Sequence, residues 1–162
     1  MLLDENAVVD ELLILLSLAK LSSDEKNKIL VLFPLADSVL LFKLAKENQT
    51  IPLIWKTIND LGLNNQLTEV TQRDFAIESE MIAKNNHNRI ESGKILLKDF
   101  TNSGVRVVLL KGIYFAESIY HNPLYKKMND IDILIPKADV YKVLEILKNL
   151  ITKINLKTFS SV

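Results

Sequence analysis

Lys126-Lys127-Met128-Asn129-Asp130-Ile131-Asp132-Ile133-Leu134-Ile135 is the stretch on which the fold turns. Ile131 to Ile135 alternates one carboxylate with aliphatic and β-branched residues and is stopped by Pro136, the pattern of a short buried strand. Side chains two apart on a strand share a face, so Asp130 and Asp132 are expected side by side. At about 5 Å and an effective dielectric of about 20, their repulsion is about 3 kcal/mol. Solvation, a protonation shift or a cation must offset it. A hard cation with oxygen ligands, Mg²⁺ above all, suits the pair. The spacing alone is equally that of two solvated strand-end aspartates. Lys126 and Lys127 alone are equally surface ion-pair partners.

Working upstream, Val105-Arg106-Val107-Val108-Leu109-Leu110 lies between Gly104 and Gly112 and reads as a first strand. It runs into Lys111-Gly112, a turn that can present backbone N–H groups to phosphate, with Lys111 adding a charge. A strand ending in Lys-Gly is also ordinary turn chemistry. Ile113 to Tyr120 suits a short helix, and His121 to Asn129, with Pro123, a loop. Downstream, Ala138 to Leu150 is amphipathic helix, and Ile154 to Phe159 is compatible with a further strand. Residues 104–162 therefore form an α/β unit.

Residues 1–103 read as helix. Val8, Val9, Leu12, Leu13, Leu15 and Leu16 recur at helical spacing. Ser22 and Glu25 form the ends of a capping box. Pro34 interrupts the second helix, and helix resumes from about Leu35 to Lys46. Pro52 suits the first turn of a short helix that Gly62 stops. From Thr68 a long pattern runs to Gly104 through Val70, Phe75, Ile77, Met81, Ile82, Ile90, Ile95, Leu96 and Phe100. Its middle, Asn85-Asn86-His87-Asn88, predicts a bend or a solvated face. Phe33, Phe42, Trp55 and Phe75 are expected to pack in a core, and His87 and His121 to be solvated.

The 162 residues hold 20 Lys+Arg, 20 Asp+Glu, 2 His and no Cys, which excludes a disulfide scaffold and Cys-ligated metal sites. No apolar run approaches the roughly 18–20 residues of a membrane span. The acidic N-terminus is unlike a signal peptide. The expectation is a soluble, cytoplasmic protein. The zero net charge divides into minus six over residues 1–80 and plus six over residues 81–162. A basic half attracts phosphate-bearing ligands, and equally attracts the acidic half.

Taken together, Leu110-Lys111-Gly112, Tyr120 and Pro123 through Ile135 resemble the nucleotidyltransferase fold of the DNA polymerase β superfamily. More narrowly, they resemble the uncharacterised bacterial nucleotidyltransferase family. Leu44-Ala45-Lys46-Glu47-Asn48-Gln49-Thr50-Ile51-Pro52-Leu53-Ile54 is similar to a helical segment of that family, and the resemblance covers about residues 35–150. It implies an α+β fold, with a helical region on a partial nucleotidyltransferase core containing a small mixed sheet. It implies Asp130 and Asp132 as catalytic, Mg²⁺-binding carboxylates, Gly112 as the tight turn near the triphosphate, and Lys111 and Lys126 as phosphate contacts. Lys126 stands where the family usually has Arg, keeping the charge without the bidentate fork. The implied chemistry is attack of a hydroxyl on the α-phosphate of a nucleoside triphosphate, with RNA, protein or a small molecule as acceptor.

The superfamily site takes a third carboxylate from a later strand. After Asp132 the remaining acids are Asp139 and Glu145, both on the helix after Pro136 and roughly on opposite sides of it at ~100° per residue. The expectation is a member truncated at its C-terminus, impaired in turnover, and able to self-associate through an open sheet edge. The alternative is a catalytically inactive nucleotide-binding or protein-interaction module.

Overall fold

The computed structural model describes residues 5–122 and 125–159, with side chains described from Asn6 to Leu150 apart from 113, 116, 117, 123 and 124. Among the described residues, seven α-helices and two short strands follow one another as α1 (Glu5–Leu16), α2 (Ser23–Leu32), α3 (Ser38–Glu47), α4 (Ile51–Asp60), α5 (Glu69–Asn102), β1 (Val108–Leu109), α6 (Lys111–Ser118), β2 (Ile133–Leu134) and α7 (Val140–Phe159). The fold is α+β, and no described helix is long and apolar enough to cross a membrane.

The helix boundaries follow local chemistry. At α2, Glu25 N–H donates to Ser22 Oγ while the Ser22 N–H donates to Glu25 Oε2 at 2.7 Å, so both halves of the capping box are made. Pro34 sits in a 3-10 turn, Phe33–Leu35, and α3 begins three residues later than the hydrophobic pattern suggests. The Asp37 carboxylate accepts the Val39 and Leu40 N–H groups and sets that start. Pro52 lies in the first turn of α4.

These helices close a core running from Val8, Leu12 and Leu16 through Ile29, Leu41, Ile54 and Ile58 to Phe75 and Ile82. Phe75 is its centre, edge-on to Phe42 at 5.0 Å and stacked on Trp55 at 5.9 Å.

The helix α5 is 34 residues long, about 50 Å at 1.5 Å per residue. Thr68 caps it by accepting the Thr71 N–H. Its buried line is Thr71, Phe75, Ile82, Asn86, Gly93 and Phe100. Val70, Ile77, Met81 and Ile95 face solvent. The polar stretch Asn85–Asn88 does not interrupt the helix: Asn85, His87 and Asn88 are exposed, as a solvated face would be, while Asn86 is fully buried.

A second, smaller cluster gathers Phe100, Val105 and Val143, with Leu96, Val107, Ile133, Ile135, Ile146 and Leu147 packed on it. Here α5 stops at Gly104, whose φ of 69° lets Val105 N–H reach back to Phe100 O. That closure takes Val105 out of the expected strand, leaving only Val108–Leu109 as β1. The β1 and β2 strands pair antiparallel, Val108 with Leu134 and Leu109 with Ile133. Among the described residues the sheet is this antiparallel pair, not a mixed one, because the segment after α6 brings the chain back in the opposite direction. Pro136 ends β2 and opens a 3-10 turn, Lys137–Asp139, from which α7 continues helically through Phe159. Ile154–Phe159 is therefore helix, not strand.

Candidate active site

The site lies where β1 turns into α6 beside the entry to β2. Leu110, in extended conformation, is the N-cap of α6, and its N–H donates to Asp132 O at 3.0 Å. This bond carries the ladder one step beyond the paired strand residues. Asp132 thus enters the strand register, and Asp130 lies two residues ahead of it in the segment leading into β2. Asp130 is exposed, and the Asp132 side chain is 32% exposed.

Lys111 carries the turn. Its φ is 47°, a left-handed conformation that costs a non-glycine residue about 1–2 kcal/mol. From there its Nζ reaches Asp132 Oδ2 at 3.2 Å. Gly112 was expected to supply the tight turn, and the structure assigns the positive φ to Lys111 instead. A Cβ on Gly112 would stand 3.3 Å from Met128 Cγ, so this glycine serves close packing. Met128 is 3% exposed, wedged under the start of α6.

The segment before the aspartates is held from behind by α5. Asn86 Nδ2 donates to Lys126 O at 2.7 Å, and Met128 N–H donates to Asn86 Oδ1 at 3.1 Å. One turn on, Arg89 Nε donates to Asn129 O at 3.2 Å. Lys56 of α4 lies over the Tyr125 ring, 5.6 Å from its centroid. Pro123 and Leu124, part of the motif, lie outside the described residues.

The structure therefore brings Lys111, Gly112 and Asp132 together, with Asp130 adjoining. Lys126 enters through its carbonyl, held by Asn86. Sequence reasoning missed Asn86 and Arg89. Their one signal is a polar break in the apolar pattern of a long helix, which a solvated face produces equally well. Alongside them, Asn85, Asn88, Arg89, Ser92 and Ile131 line an open polar cleft of about 290 Å³.

As to a metal, the Asp130 and Asp132 carboxylates are hard oxygen donors of the kind Mg²⁺ takes, and the Lys111 ammonium already rests on Asp132 as a monovalent cation does. Asp139 closes the 3-10 turn and Glu145 lies on α7. Among the described residues, His, Cys, Asp and Glu form no group of three or more able to hold a metal ion. The donors fit as part of a ligand shell that water and phosphate oxygens would complete.

A small antiparallel pair beside long helices, with an Asp-x-Asp at the strand entry and a Lys-Gly turn facing it, is consistent with an α+β nucleotidyltransferase-like fold. The chain belongs to the uncharacterised nucleotidyltransferase family, whose model matches residues 35–151. The match takes in both the N-terminal helices from the 3-10 turn onward and the whole candidate site. No curated protein and no solved structure matches the chain.

Proposed function

We propose that the chain is a Mg²⁺-dependent nucleotidyltransferase that moves a nucleotide from a nucleoside triphosphate to a hydroxyl acceptor on RNA, protein or a small molecule. The observation that carries this reading is Lys111 Nζ at 3.2 Å from Asp132, in a family whose name states the activity. In the reaction the acceptor hydroxyl gives up its proton to solvent as its oxygen bonds to the α-phosphorus, the bond to the bridging oxygen breaks, and pyrophosphate leaves. Mg²⁺ held by Asp130 and Asp132 would polarise the phosphoryl oxygens and lower the acceptor hydroxyl's pKa.

The chain's own task is positioning. Lys111, exposed at the start of α6, exchanges its ion pair with Asp132 for the triphosphate, helped by the positive end of the helix dipole. Lys126 would contribute its positive charge as a point charge. Gly112 lets the turn sit down on Met128 and keeps Lys111 level with Asp132.

The same pairing favours a second reading, an inactive nucleotide-binding or protein-interaction module. A lysine neutralising one of two carboxylates makes a site stable without a metal, and two monodentate carboxylates leave most of an octahedral shell to other ligands. Impaired turnover follows from either. Titration of Mg²⁺ with each nucleoside triphosphate, then assay of pyrophosphate release, separates the readings. Binding with release supports the enzyme, binding alone supports the module, and no binding removes both nucleotide readings.

A further inference from the structure

We infer that Asn86 and Arg89 of α5 are positioning residues for the Asp130–Asp132 pair, acting through the main chain of residues 126–129. The functional arm of this inference rests on the nucleotidyltransferase reading above; its structural arm does not.

Asn86 is fully buried at the centre of a helix whose neighbouring buried positions are Ile82 and Gly93. An aliphatic side chain there would avoid the cost of desolvating an amide. The amide instead donates to Lys126 O and accepts from Met128 N–H, some forty residues further along the chain. Those two bonds grip alternate main-chain groups of one segment and so define its register against α5. Arg89, three residues on and thus on a neighbouring part of the same face, donates to a carbonyl three residues further along the segment, Asn129 O. On the other side Met128 is trapped against Gly112.

Register matters here more than elsewhere. A slip of one residue along an extended segment exchanges the two faces. It would carry Asp132 away from Lys111 and bring Ile131 to it. The two-residue ladder of β1 and β2 is too short to prevent that by itself. The bonds from α5 specify which residues face the turn.

The test uses the full chain and two variants, Asn86→Leu, which keeps the volume, and Arg89→Ala, which removes a partly exposed guanidinium. Two quantities are read. One is amide hydrogen exchange at Leu110, whose N–H reports on Asp132 O across the sheet and touches neither mutated residue. The other is Mn²⁺ affinity by electron paramagnetic resonance. Asn86→Leu is expected to speed Leu110 exchange about tenfold or more while α4 amides stay protected, and to weaken Mn²⁺ binding by roughly 10–100-fold, as loss of an outer partner does at metal sites. Arg89→Ala should move both in the same direction by less. An unchanged Leu110 rate in both variants, with exchange altered at Met128 alone, overturns the inference by making Asn86 a local packing residue. If Asn86→Leu fails to fold, Arg89→Ala decides on the same amide. Absence of Mn²⁺ binding in the wild-type chain removes the nucleotidyltransferase reading, and Leu110 exchange still decides the positioning. Asp130→Asn should abolish Mn²⁺ binding and leave Leu110 exchange unchanged.

Discussion

The core of α1–α4 and the first part of α5 is continuous from Val8 to Ile82, with aromatic rings packed at its centre. The region around β1 and β2 buries Phe100, Val105 and Val143, and its ladder is two residues long. Much of what orders the second region is polar and reaches in from the first: Asn86 and Arg89 on the 126–129 main chain, and Lys56 over Tyr125. A site with few packing contacts of its own has low local stability. It leans on a neighbour whose stability comes from apolar burial. The helical region is thereby part of the site's construction.

The comparison breaks most visibly at its two central phenylalanines. Phe75→Ala should cost about 3–5 kcal/mol and unfold the chain as a whole in chemical denaturation, since it empties the main core. Phe100→Ala removes as much buried ring but should act regionally. Exchange protection is expected to fall in β1, β2 and α7 and to persist in α1–α4. Equal loss in both regions would mean that the two clusters form one cooperative unit.

A sharper contrast comes from Gly112→Ala. The new Cβ meets Met128 Cγ at 3.3 Å, so the Met128 side chain must give by a few tenths of an ångström, a packing cost set against the gain of about 1 kcal/mol that Ala brings over Gly inside a helix. In a Met128→Ala background that cost should largely vanish, a coupling that a double-mutant cycle measures directly.

Lys111→Gly separates stability from function in the second region. It removes the cost of a left-handed lysine, offset in part by added chain entropy, so stability should rise by under about 1 kcal/mol. Triphosphate binding, read by calorimetry, should weaken. A fall in stability would show the ion pair to Asp132 outweighing the backbone strain.

The smallest effect lies in the first region. Hydrogen bonds from the Ser22 N–H and hydroxyl hold the Glu25 carboxyl below its usual range. A carboxyl lowered on folding adds stability above its ordinary value near 4.5, and loses it as pH falls through the lower folded value. Glu25→Gln should therefore lower Tm slightly at neutral pH, with the difference from wild type vanishing as pH falls below about 4.5, so that the acid limb of the Tm–pH curve flattens.

The helical half was legible because its signals are local. Apolar periodicity, Ser22 with Glu25, Pro34, Pro52 and Thr68 each act within a turn or two of the chain. The reading departs from the structure there at the start of α3, which a competing cap delays, and at Asn86, buried within a run read as a bend or a solvated face. Strand lengths were less legible. The apolar run from Val105 is shortened by a helix closure that periodicity does not register, and Ile154–Phe159 suits either period.

By itself, the sequence determined the α+β class, the family and the helix caps. Covalent spacing and short-range hydrogen bonding are enough to specify each of these. Tertiary structure alone decided that Lys111 takes the left-handed turn, that Gly112 is small because Met128 lies on it, and that a buried Asn86 holds the motif. Each depends on groups some fifteen to forty residues apart being brought within hydrogen-bond or van der Waals distance. The sequence around any one of them carries no mark of its distant partner.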